Sequence, residues 1–232
     1  MRLVHPDAVL INNTANPVDI IYLAATRCYS KDKYTENNDD LFLASLTGVT
    51  TEDKINLIKK CIKAGHDSVL EHAYITFHIT CSRACSHQLV RHRLANFAQS
   101  SQRYITYDNI SFISKSDENN EEQLEIYKKA EEAYKSLIDN KMPAEDARMV
   151  LPNAVATHLV VTMNVRELRH FFSLRCCNKA QWEIREIAWK MLTLCKEKYS
   201  ALFEDTGPKC FFMKRCTEFK PCKEQPYRTV KF

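Results

Sequence analysis

The segment from Arg91 to Arg103 (Arg-His-Arg-Leu-Ala-Asn-Phe-Ala-Gln-Ser-Ser-Gln-Arg) carries three arginines, a histidine, two glutamines and two serines. Guanidinium forks followed by hydroxyl and amide donors suit the gripping of phosphate oxygens, and the same forks can orient a planar heterocycle. No carboxylate occurs between Ser82 and Tyr107, which is unlike the mixed charge of a solvated helix face. On these residues alone, a basic patch without function stays open as the alternative.

The chain has only three glycines, Gly48, Gly65 and Gly207. A dinucleotide loop of GxGxxG type or a GxxxxGK[ST] phosphate loop needs several close glycines, because backbone must approach pyrophosphate with no side chain in the way. Both are excluded. A bound nucleotide must therefore have its phosphates held by side chains, and the arginine cluster is where they stand.

Further polar residues lie outside this cluster. Gly65 to His72 (Gly-His-Asp-Ser-Val-Leu-Glu-His) places two histidines, a serine and carboxylates on one short connection, which could hold a ligand or simply cap itself. Arg148, Asn164, Arg166, His170 and Arg175 interrupt apolar sequence, and an arginine among Leu168, Phe171, Phe172 and Leu174 needs a carboxylate partner or a bound anion. Cys210, Cys216 and Cys222 repeat as C-x5-C-x5-C in a Lys- and Pro-containing tail. Zinc would need a fourth ligand there and usually takes closer pairs, so a solvent-facing or partner-docking tail is expected and no metal site. Cys176 and Cys177 are adjacent and have no apparent base beside them, so neither is read as a nucleophile.

These residues need elements to position them. Residues 51–64 predict a helix with Thr51 as cap, acidic Glu52 and Asp53 first, lysines last, Ile55, Ile58 and Ile62 on one face, and Gly65 just past its end. Residues 73–80 alternate as a half-buried strand. A helix starting at Ser82 should carry Gln88, Arg91 and His92 and end near Phe97, leaving Gln99 to Arg103 on a loop. Residues 108–120 read as a surface loop. Residues 121–140 read as an amphipathic helix burying Leu124, Tyr127, Tyr134, Leu137 and Ile138. Pro143 suits the first turn of a helix through Arg148 to Leu151. His158 to Met163 reads as a strand, and Asn164 with Glu167 as a capping box opening a helix to Arg175. Ala180 to Tyr199 reads as a long helix. Helices and strands mix without regular βαβ alternation, so the expected class is α+β, with residues 1–232 as one domain and a distinct tail from about 207.

Composition bounds the rest. The 232 residues are 45% hydrophobic and 27% charged, with a formal net charge of +4. That balance fits small anionic ligands better than a dedicated nucleic-acid binder. No apolar run reaches the roughly 18 residues of a membrane span, and no signal-like core follows Met1, so a cytoplasmic location is expected. The ten cysteines are then most simply reduced thiols, with Cys28, Cys61, Cys85 and Cys195 buried as small hydrophobes.

Taken together, the motifs resemble the flavin-dependent thymidylate synthases. The family signature RHR-x7-S is met by Arg91-His92-Arg93 and Ser101, followed by Arg103. The resemblance extends over most of the chain: Gly65-His66 with Glu71-His72, Ala147-Arg148 with Leu151-Pro152, Asn164-x-Arg166, Leu174-Arg175, and Ala180-Gln181-Trp182-Glu183-Ile184. It implies a central antiparallel sheet with flanking helices and a homotetramer with active sites shared between subunits. It implies reductive methylation of dUMP to dTMP with 5,10-methylenetetrahydrofolate as carbon donor and FAD reduced by NADPH.

By position, the resemblance assigns His66, Ser68, Glu71, Arg91, His92, Arg93, Gln99, Asn164, Arg166 and His170 to FAD. It assigns Gln88, Arg91, Gln99, Ser100, Ser101, Gln102, Arg103, Arg148 and Arg175 to dUMP, with Arg175 activating the uracil. Two positions depart from the family pattern: Gln99 stands where glutamate is frequent, and Lys179 where some members have histidine. A competing reading makes the chain a non-catalytic nucleotide- or RNA-binding protein using the Arg91–Arg103 cluster. Such a protein needs aromatic stacking partners, of which only Phe97 and Tyr104 are at hand, and it has no use for Asn164, Arg166, His170 and Arg175.

Overall fold

The computed structural model describes residues 1–27, 46–115 and 120–222. Its centre is a four-stranded antiparallel sheet in the order β2-β3-β6-β4, formed by Asp7–Asn13, Tyr74–Ser82, Ala156–Asn164 and Ala95–Gln99. The expected α+β class with an antiparallel sheet and flanking helices is what the structure shows. Strands β3 and β6 pair over nine positions, from Tyr74 opposite Asn164 to Ser82 opposite Ala156. The two-residue period sends Ile75, Phe77, Ile79, Leu159, Val161 and Met163 into the core, each 2% exposed or less. Helices α6 (Val165–Arg175) and α7 (Trp182–Phe203) cover that face with Leu168, Phe171, Phe172, Ile184, Ile187 and Met191. Thr76, His78, Val160 and Thr162 lie on the opposite face, where Val160 is 38% exposed.

Helices α1 (Pro17–Arg27) and α2 (Thr51–Lys63) flank the same core, and α2 leads through a 3₁₀ turn, Asp67–His72, into β3. Between β3 and β4 lies the short α3 (Arg83–Leu89), capped by Ser82 Oγ, which accepts from the Cys85 N–H at 3.0 Å. Ser82 in turn is held from α7: Glu183, 2% exposed, accepts from its backbone N–H and its hydroxyl, both at 2.6 Å. A second, smaller core gathers Ile110, Phe112, Tyr127, Tyr134, Ala147 and Val155. It joins the parallel pair β1 (Arg2–Val4) and β5 (Ser111–Ile113) to α4 (Glu121–Asp139) and α5 (Ala144–Ala147). The chain ends its described part with α8 (Lys209–Met213) and an irregular run to Cys222. Among the described residues no helix is long and apolar enough to cross a membrane.

Several sequence expectations need correction. Helix α2 is capped by Thr50, not Thr51: the Thr50 hydroxyl accepts from the Asp53 N–H, three residues on. Gly65, at φ 75°, does follow the helix end in the left-handed conformation. Helix α3 stops at Leu89, so Arg91 and His92 are not helical. Residues Ala95–Gln99 form an edge strand on β6 in place of a helix end, because backbone pairing from Ala95–Met163 to Gln99–Leu159 outweighs weak local preference. Residues 111–113 form a strand inside the segment read as a loop. In α4 the buried positions include Glu131, which accepts from the Ile110 N–H at 3.1 Å and pairs with Lys135. Cys61, Cys85 and Cys195 are buried as expected, and Cys28 lies outside the described residues.

The cap assignment has a direct consequence. Thr50→Ala should cost about 0.5–2 kcal/mol of stability, and Thr51→Ala only a few tenths, as read from urea unfolding midpoints. An equal loss at both positions would contradict the assigned cap.

Candidate active site

His92 is the centre of the polar cluster. The turn after α3 tucks it inward, with its N–H bonded to the Leu89 carbonyl at 3.0 Å, and leaves it 6% exposed. Its Nδ1 lies 3.0 Å from a Glu167 carboxylate oxygen, and Arg175 Nε donates to its Nε2 at 3.1 Å. Because Nε2 accepts, the ring proton sits on Nδ1 and is donated to Glu167. The resulting chain runs from guanidinium through imidazole to carboxylate. Burial and the Arg175 cation hold His92 below the ordinary histidine value, against the opposing pull of Glu167. His92 is therefore a neutral spacer at neutral pH. The ring also meets Phe171 edge-on at 4.9 Å.

Helix α6 supplies most of this geometry. Asn164 Oδ1 caps it by accepting from the Glu167 N–H at 2.8 Å. The expected capping box is only half formed, because the Glu167 side chain turns to His92 and not back to the cap. At the other end of α6, Arg175 donates through Nη2 to the Gln88 carbonyl at 3.4 Å. No hydrogen bond engages Arg175 Nη1 among the described residues, so part of its fork remains for a ligand.

A second group lies at the mouth of an open cleft of about 1020 Å³. Arg166 and His170, one turn apart on α6, line it together with Asp67, Leu94, Glu167 and Ser173. Arg166 forms an ion pair with Glu71 of the 3₁₀ turn. His66 and Ser68 sit on the same connection and are exposed, as are Arg91 and Arg93. The cleft's size suits a large nucleotide cofactor, and its donors are guanidinium and imidazole groups that fit an anionic one.

The third group gathers beyond β4. Gln99 donates from Nε2 to Ser86 Oγ at 3.0 Å and Thr157 Oγ1 at 3.2 Å. Ser100 is tied to the sheet by its N–H on the His158 carbonyl at 3.0 Å. Ser101 Oγ accepts from the Arg103 N–H at 3.1 Å, and Arg103 Nε reaches Glu145 at 2.6 Å. Arg148 Nε donates to the Glu145 carbonyl at 3.0 Å, so one residue organises both arginines. Gln102 is 8% exposed, and its Nε2 is buried without a hydrogen-bond partner among the described residues. A buried donor of that kind is costly, which suits a site completed by a ligand acceptor.

The structure thus brings Gln88, His92 and Arg175 together, and Glu71 with Arg166. It brings Ser101, Arg103 and Arg148 together through Glu145. Gln99 is held separately by α3 and β6, while Arg91 and Arg93 make no such contacts among the described residues. Sequence reading missed Glu167, Glu145, Ser86 and Thr157. Only Glu167 carried a signal, as a carboxylate at the third helical position, and that signal pointed to capping.

The family model described as "Thymidylate synthase complementing protein" matches residues 9–199. The chain is 44% identical to the flavin-dependent thymidylate synthase of Geobacter sulfurreducens over 209 residues, covering 87% of each chain. It is 40% identical to that of Pyrococcus furiosus over 229 residues, covering 93% of this chain and 88% of the relative. In fold it is similar to the UMP/dUMP methylase PolB of Streptomyces cacaoi, crystallised with 5-Br dUMP. The TM-score is 0.73 and the identity 22%, covering 88% of this chain and 96% of that one.

The lowered His92 pKa fixes a sign. Above the unfolded value of 6.5 the imidazole is neutral in both states and its contribution to stability is complete. As pH falls below that, the unfolded chain takes up the proton first, and stability declines down to the folded value. Urea unfolding of His92→Gln should show a shallower decline between pH 6.5 and 5 than the parent chain; an identical slope would rule out a neutral, buried His92.

Proposed function

The chain belongs to the flavin-dependent thymidylate synthases, and on that premise we propose how its residues divide the methylation of dUMP to dTMP. The enzyme uses FAD, with NADPH and 5,10-methylenetetrahydrofolate as co-substrates. When bound, the flavin supplies the hydride chemistry that amino-acid side chains lack, and the protein binds, orients and excludes water. A non-catalytic nucleotide- or RNA-binding role loses its basis once the family is established.

The observation that carries the residue assignment is the Arg175–His92–Glu167 chain. Arg175 is oriented by a buried neutral ring, which is itself oriented by a buried carboxylate. Held in that way, the guanidinium faces the uracil edge, favours loss of the proton on ring nitrogen 3, and stabilises the anion that develops. Arg103 and Arg148, with the Ser101 hydroxyl, take the dUMP phosphate, and the ligand displaces part of their hold on Glu145. Each charge-assisted hydrogen bond gained is worth about 1.5–3 kcal/mol before that competition is deducted. Gln88, Gln99, Ser100 and Gln102 complete the substrate's surroundings, and Arg91 lies between substrate and flavin. Gln99 uses its amide as a donor to two hydroxyls, so it positions and does not act as a carboxylate. His66, Ser68, Glu71, Arg93, Asn164, Arg166 and His170 surround FAD along the cleft, with His92 behind them.

We further propose a homotetramer with sites completed across subunits. Among the described residues no helix covers the sheet face bearing Thr76, His78, Val160 and Thr162, and Val160 is 38% exposed; Arg91 and Arg93 are exposed as well. Residues 1–232 act as one domain: β5 joins the main sheet's neighbourhood through the Phe112–Val155 bridge. All described cysteines are thiols, which supports a cytoplasmic location.

Purified protein should be yellow and show dUMP-dependent NADPH oxidation coupled to dTMP formation. Arg175→Ala should keep the flavin absorbance and lower dTMP formation by about 10²–10³-fold. Near-normal turnover would sink the activating role of Arg175, and a colourless chain that ignores added FAD would sink the site assignment.

A further inference from the structure

The tail offers three cysteines at C-x5-C-x5-C, one sulfur short of a tetrahedral four-thiolate site. The fold supplies the fourth. Residues 209–222 turn back onto the C-terminal end of α6, and Cys177, Cys210, Cys216 and Cys222 all line one small cleft there. Cys210 is 8% exposed, and Cys177, Cys216 and Cys222 are half-buried. The Asn178 amide lies 4.0 Å from Cys222 Sγ, which places the tail's last described cysteine beside the residue next to Cys177. The tail, expected to be solvent-facing or partner-docking, is exposed over most of residues 212–221, while its cysteines line the cleft.

We propose that this cleft is a structural zinc site with Cys177, Cys210, Cys216 and Cys222 as ligands. The donor set is all sulfur, which selects a soft or borderline cation over magnesium or calcium. Binding is balanced by loss of one proton from each of four thiols, leaving a site of charge −2. Lys179 and Lys209 line the same cleft and, against Glu218 there, offset part of that charge. The segment also needs a staple. Beyond the five-residue α8 it has no regular element, and Phe219 is 97% exposed, so hydrophobic burial does little to hold it. Among the described residues no three ligating side chains are gathered closely enough to hold a metal ion. Closing the site takes rotation of the four side chains and a shift of the tail. Cys177 lies two residues past Arg175, so the metal pins the tail to the helix end that carries the proposed activating residue.

The test uses the full chain, purified with reductant and without chelator. Elemental analysis should find about one zinc per chain. Chelator-stripped, reduced protein titrated with cobalt(II) should develop thiolate-to-cobalt charge-transfer absorption and the strong visible bands of tetrahedral sulfur coordination. Cys177→Ser, Cys216→Ser and Cys222→Ser should each lose zinc and those bands, whereas Cys61→Ala, outside the cleft, should keep them. Limited proteolysis gives a readout independent of any one variant's folding: the 209–222 segment of the parent chain should be resistant with zinc and cleaved after chelation. Zinc content far below one per chain with no cobalt bands overturns the proposal. So does a disulfide joining Cys177 to a tail cysteine in peptide maps of protein purified without air, which would make the cleft a redox link. None of these readouts depends on dTMP formation, so their failure leaves the synthase reading intact.

Discussion

A carboxylate buried as deeply as Glu167 must be hydrogen-bonded, or its desolvation would cost several kcal/mol. Its partner is His92, and that single bond constrains much of what surrounds it. It requires the chain to leave α3 early and turn the imidazole inward. That turn delivers Ala95–Gln99 to the edge of β6. It also commits the His92 proton to Nδ1, which leaves Nε2 as the acceptor that orients Arg175. The α6 cap, the edge strand and the exposed part of the Arg175 fork are thus geometrically linked.

Electrostatics on the outer side of the site follow a different logic. Glu71 and Glu145 neutralise Arg166 and Arg103, but these pairs are roughly half-exposed, and such pairs are individually weak. A phosphate or pyrophosphate can therefore displace them at little cost. The buried Glu167–His92 pair is not displaceable in that sense and serves to position. With three glycines in the chain, a glycine-rich phosphate loop is not available, and the proposed phosphate grip rests on side chains. Arginines parked on weak carboxylate partners suit it.

Much of the fold was legible because its causes are local. Acidic first turns, basic last turns, Gly65 past a helix end, and the apolar alternation of residues 73–80 and 158–163 are read within a few positions. Misreadings occurred where pairing with distant segments overrode weak local preference. Residues 95–99 and 111–113 become strands only because β6 and β1 offer edges. Glu131 is buried where the Ile110 N–H, the Met1 ammonium and Lys135 converge on its carboxylate. Thr50 and Thr51 are chemically equal as caps, and only the backbone conformation at Thr50 selects between them.

The sequence by itself determined which side chains are available: the RHR-x7-S run, Arg148, Arg166, Arg175 and the surrounding motifs that place the chain in its family. It determined nothing about their partners. His92 meets Glu167 75 positions away and Arg175 83 positions away, and Cys177 meets a tail more than thirty residues on. Those meetings depend on how β3, β6 and α6 pack. Packing is a property of the whole core, and no short window of sequence contains it.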